Sequence, residues 1–172
     1  GRKELAQEYF SMLIYTVLVV GGILSVVSVV LTEPIARLAG ASDLLIDDCV
    51  AYGRIMLAGS VVFMLQVLFQ SFFVVAERPQ LGLFFSVAAG VTNMGLDYVF
   101  IALMDLGIAG AALATVAGYC VGGVIPLIYF LTGERSGLRL GKTKLYGRQL
   151  LQACANGSSE LMSNISATVV GI

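Results

Sequence analysis

Residues 108–131 read IAGAALATVAGYCVGGVIPLIYFL, 24 residues without a charge. A helix of that length rises about 36 Å, enough to cross a hydrocarbon core of about 30 Å. In lipid each backbone N–H and C=O needs a partner within the segment, so the run must be helical. Working outward, four similar runs appear at residues 9–31, 50–75, 81–104 and 150–172, each about 22 to 26 residues long. The expected fold class is therefore all-α, a polytopic membrane helix bundle of four complete helices and a fifth that is whole or cut short. The sequence lacks an initial Met and stops within an apolar run, so it is read as a piece of a longer chain.

Composition agrees. Of 172 residues, 58% are hydrophobic and 12% charged, and mean hydropathy is +0.93. Soluble domains carry about 25% charged residues, so a disordered chain is excluded and the composition argues against an ordinary globule. Net charge is −1, which gives no electrostatic footprint for nucleic acid. With no His there is no His-based catalysis, metal ligation or pH switching. Cys49, Cys120 and Cys154 are an odd, scattered set that fits neither a disulfide framework nor a metal site. No nucleophile–base pair, P-loop or dinucleotide motif is present, so the chain is read as no enzyme, with no cofactor.

Charge in the connections alternates. Arg2, Lys3, Arg78, Arg135, Arg139, Lys142, Lys144 and Arg148 fall on one side; Arg37, with Arg54 nearby, falls on the other. The positive-inside rule places residues 1–3, 77–79 and 132–149 in the cytoplasm of a multi-pass cell-membrane protein. Residues 33–41, EPIARLAGA, are mildly amphipathic and predict a short helix lying flat on the outer surface. Arg54 is expected to pair with an outer acidic residue or to reach the interface.

Membrane helices pack through small residues. Gly82, Ser86, Gly90, Asn93 and Asp97 share one face of the third span; Gly107, Ala111, Thr115, Gly118 and Gly122 form a matching stripe on the fourth. Asp97 is the sharpest feature, because a carboxylate inside a span costs about 2.5–3.5 kcal/mol by insertion scales. Asn93 lies one turn below it, and Thr115 offers a hydroxyl from the next helix. The three make an oxygen-rich site for Na⁺, or Asp97 holds a proton instead; the plain alternative is a carboxylate that braces helices. A second polar group is Glu160 with Asn156 and Asn164 at i−4 and i+4, functional or structural. Gln66 and Gln70 share a face of the second span and either line a cavity or join helices.

Several stretches together resemble the multidrug and toxic compound extrusion (MATE) transporters. They are Gly1-Arg2-Lys3 before a helix, the turn Ala76-Glu77-Arg78-Pro79-Gln80, the run from Asn93 through Asp97 to Ile101, and the opening Gly107 to Thr115. The resemblance covers nearly the whole chain. It implies a twelve-helix, two-lobe fold in which residues 1–131 supply four helices of the first lobe. Residues 132–149 would be the cytoplasmic linker and residues 150–172 the first helix of the second lobe. It further implies export of drugs or organic cations in exchange for Na⁺ or H⁺, with Asp97, Asn93 and Thr115 binding the coupling ion. The partners implied are a small organic cation, the lipid bilayer and the remainder of the same polypeptide. A lipid-linked saccharide flippase of the same superfamily and a non-transporting membrane scaffold are the alternatives.

Overall fold

A computed structural model describes residues 2–132 and 146–170. Most of the basic segment expected to be a linker, residues 133–145, lies outside them, as do Gly1 and residues 171–172. The described residues hold no strand. In chain order the helices are α1 (Arg2–Val30), α2 (Thr32–Leu38), α3 (Ile46–Ala58), α4 (Ser60–Val75), α5 (Pro79–Asp97), a π-helical segment (Tyr98–Leu103), α6 (Gly107–Thr132) and α7 (Gly147–Val170). The short amphipathic helix expected over residues 33–41 is α2.

Among the described residues three helices are long and apolar enough to cross a membrane: Glu4–Val30, Pro79–Leu103 and Gly107–Thr132. The expected span over residues 50–75 is not one straight helix. It is divided into α3 and α4, which pass the same test only as a pair bent by 45°. The break falls at the pair Gly59-Ser60, a recognised site of helix kinks. Gly59, at the break, faces Val116 of α6 so closely that a Cβ there would be 2.5 Å from Val116 Cγ2. Ser25 of α1 covers the bend, its hydroxyl donating to Leu57 O at 2.7 Å. Such a side-chain partner offsets the cost of peptide oxygens exposed at a bend in lipid.

α6 is the central helix and packs on α3, α4 and α5. Its Pro126 is buried within the helix and supplies no N–H to the carbonyl one turn back. One end of the bundle is an aromatic core of Phe10, Phe69, Phe73 and Phe130, closed by Ile14 and Leu65. Phe69 and Phe130 stack at 5.5 Å between centroids with planes 13° apart, a favourable offset arrangement. Toward the middle, the α5–α6 seam narrows. A Cβ on Gly118 would lie 2.9 Å from Ala89 O. The facing stripes expected for these helices hold only in part, since Gly122 presses against Gln66 of α4, while Gly90 and Gly107 have no neighbour within 4 Å of a notional Cβ.

α7 is helical as expected but differs in apolarity. It is not among the helices apolar enough to cross a membrane, because Asn156, Ser158, Ser159, Glu160, Ser163 and Asn164 dilute the run. Residues 151–167 are exposed. Its start is held by Tyr146, whose hydroxyl donates to the Glu8 carboxylate and whose ring meets Tyr9 edge-on at 5.2 Å.

Candidate cation site and cavity

Asp97 closes α5, and the backbone then widens into the π-helical segment. The wider turn is marked by Met104 N–H donating to Val99 O at 3.0 Å, an i+5 bond of the kind found as π-bulges at functional sites. Asp97 is half-buried, and its Oδ1 is buried with no hydrogen-bond partner among the described residues. A buried oxygen of a carboxylate left in that state is costly.

One turn below, Asn93 Nδ2 donates to Thr115 Oγ1 at 3.2 Å, and Thr115 Oγ1 donates to Ala111 O at 2.9 Å. The hydroxyl thus accepts from one helix and donates to its own. Spending Nδ2 on Thr115 leaves the amide oxygen of Asn93 as an acceptor. The structure therefore joins Asn93 and Thr115 directly, with Asp97 at i+4 from Asn93 and no hydrogen bond linking it to either.

Asn93 and Thr115 also line a cavity of about 320 Å³ between α4, α5 and α6, with Gln66, Ser86, Gly118 and Tyr119. Gln66 Oε1 is buried and lacks a hydrogen-bond partner among the described residues. Gln70 acts differently, because its Nε2 donates to Ser86 Oγ at 3.0 Å, and Ser86 Oγ donates to Gly82 O at 2.9 Å. Of the two glutamines, Gln66 lines the cavity and Gln70 joins α4 to α5. Tyr119 is a cavity residue that the sequence pattern alone did not single out. Its signal was its place one turn after Thr115; its ring lies 5.0 Å from that of Phe63. The lining is neutral, with oxygen acceptors and an aromatic face.

The family model MatE matches residues 1–99. The chain belongs to the MATE family. It is 30% identical over 133 residues to the multidrug export protein MepA of Staphylococcus saprophyticus, a match covering 76% of this chain and 30% of MepA. Its fold is similar to the inward-facing conformation of a multidrug resistance MATE family transporter of the MOP superfamily, with a TM-score of 0.74 and 19% identity. That likeness covers 81% of this chain and 32% of the other. The MATE chain thus spans about a third of the length of these relatives.

Glu160, Asn156 and Asn164, the second polar group, share the exposed part of α7. No group of three or more Cys, Asp or Glu able to hold a metal occurs among the described residues.

Proposed function

We propose that this MATE chain is part of a cation-coupled antiporter that exports drugs or organic cations across the cell membrane. Na⁺ or H⁺ binds at Asp97, with Asn93 and Thr115 assisting, and the cavity beside Gln66 takes the organic cation. The observation that carries this reading is the buried, unpartnered Asp97 oxygen at the head of the Asn93–Thr115 pair. Neutral oxygens and the Tyr119 ring suit a cationic ligand through hydrogen bonding and cation–π attraction. Among the described residues no cationic side chain lines the cavity, which disfavours a flippase that must hold a phosphate-linked saccharide.

Coupling follows from the shared residues. Asn93 and Thr115 belong both to the ion site and to the cavity wall. Loading Asp97 favours one packing of α5 on α6 over another, and only this difference in affinity between packings couples ion to drug. In this reading residues 1–131 belong to the first of two rocking lobes, residues 132–149 to a cytoplasmic linker and residues 150–172 to the second lobe. Residues 1–3 and 77–79 are cytoplasmic as well.

The test uses the protein in proteoliposomes, with flux of a fluorescent organic cation followed under separately imposed Na⁺ and proton gradients. Flux driven by one gradient is expected to collapse in Asp97→Asn at equal protein level and orientation. Equal flux in wild type and Asp97→Asn, or no gradient-driven flux in wild type, overturns the proposal.

A further inference from the structure

At the end of the bundle where α1 stops and α3 begins, α2 lies against α3. Thr32 anchors it: its hydroxyl donates to Ser28 O at 3.0 Å, and a Cβ on Gly53 would lie 2.8 Å from Thr32 Cγ2. The two helices enclose a groove of about 320 Å³ whose charged lining is Glu33, Arg37, Asp47 and Arg54. Two of the four are already engaged. Arg37 bonds Glu33 at 3.1 Å and Asp43 at 3.3 Å.

Asp47 and Arg54 have no ion pair among the described residues, and both are exposed. They are seven residues apart on α3, two turns, so they share a face about 10 Å from each other along the axis. That is too far for a direct ion pair. It leaves one anionic and one cationic anchor at the two ends of the groove. Its apolar lining is Ile46, Val50 and Ala51, and Leu31, Ile35, Leu38, Leu44 and Leu45, on α2 or flanking it in sequence, are exposed apolar side chains. In a multi-pass membrane protein such a rim lies in the interface, where an arginine reaches for lipid phosphate.

We propose that this groove is a headgroup site for phosphatidylethanolamine. Arg54 takes the phosphate through its planar donor fork, Asp47 accepts from the primary ammonium, and the Glu33–Arg37 pair forms a wall without net charge. The acyl chains run down the apolar flank of α3. A choline headgroup has the phosphate but no N–H to give Asp47. A glycerol headgroup has no cation and meets an unpaired carboxylate.

The test is native mass spectrometry of the purified protein with equimolar phosphatidylethanolamine, phosphatidylcholine and phosphatidylglycerol, and with free phosphoethanolamine as competitor. Wild type is expected to retain phosphatidylethanolamine over the other two. Arg54→Gln is expected to lower that retention about tenfold, the scale of one charge-assisted contact, and Arg54→Lys by less. Asp47→Asn should remove the preference over phosphatidylcholine and raise retention of phosphatidylglycerol. An unchanged melting temperature in these surface variants separates loss of the site from loss of fold. Equal retention by Arg54→Gln, or phosphatidylglycerol preferred by wild type, overturns the proposal. Free phosphoethanolamine displacing the lipid at equal concentration overturns the assignment to a lipid.

Discussion

A methyl group added at position 118 would lie 2.9 Å from Ala89 O and 3.2 Å from Asn93 Cβ. Ordinary van der Waals contact begins at 3.4 Å, so Gly118→Ala forces the α5–α6 seam open by about half an ångström. The nearest obstacle is backbone and has no rotamer to escape into. Overpacking of this kind costs about 1–3 kcal/mol. The Asn93–Thr115 hydrogen bond spans the same seam at 3.2 Å and would stretch with it, forfeiting about 0.6 kcal/mol, the average for interhelical bonds in membranes. The expected loss is about 1.6–3.6 kcal/mol, read by reversible denaturant unfolding of the protein in mixed micelles. Gly95→Ala is the control: it lies on α5 with no neighbour within 4 Å of the added carbon, and its change should stay within about 0.5 kcal/mol. If Gly118→Ala is as stable as Gly95→Ala, α5 and α6 do not approach as closely as the geometry states.

Gly122→Ala should behave differently, because the carbon it meets at 2.7 Å is Gln66 Cδ, a movable side chain. The amide is displaced into the cavity. Affinity for a test organic cation, read by fluorescence titration, should fall roughly fivefold, about 1 kcal/mol, with less destabilisation than Gly118→Ala. A double-mutant cycle of Asn93→Ala and Thr115→Val should give a coupling energy of about 0.6 kcal/mol in unfolding experiments; strict additivity would mean that the bond contributes nothing. The Glu8 carboxylate beside Tyr146 raises the phenol above its ordinary value of 10.0. The stabilisation this gives to docking the start of α7 on α1 is full below pH 10 and lost as pH rises through the raised value. Spin-label distances between α1 and α7 should hold through neutral pH and lengthen in strong alkali, whereas Tyr146→Phe should lengthen them at every pH.

The helices were legible because lipid leaves the backbone so few options: an apolar run of sufficient length becomes a helix, and α1, α5 and α6 follow directly. The approach of Asn93 to Thr115 was legible for a related reason, since small residues mark where two helices touch and polar residues on those faces must meet. The pair Gly59-Ser60 is a recognised kink signal that the reading of residues 50–75 as one span passed over. What was not legible depends on neighbours remote in sequence. The run Tyr98–Leu103 contains no Gly or Pro to announce a π-helical turn. α7 was legible as a helix, but the run that names it does not say what its polar face with Glu160 packs against. Gln66 and Gln70, one turn apart and chemically identical, part ways because only Gln70 finds Ser86 within reach.

The bend at Gly59 carries a mechanical meaning. Unlike Pro126, Gly59 keeps its N–H, which donates to Ile55 O at 3.0 Å, while Phe63 N–H still reaches Gly59 O at 3.1 Å. The peptide ladder runs through the joint, so the joint is elastic rather than cut. Straight, residues 46–75 would measure about 45 Å against a hydrocarbon layer of about 30 Å. With α3, 13 residues long, turned 45° from α4, the length along α4 shortens by about 6 Å. Any change in the angle between the two halves moves Gly59 relative to Val116, so the bend ties the shape of this span to the packing of α6.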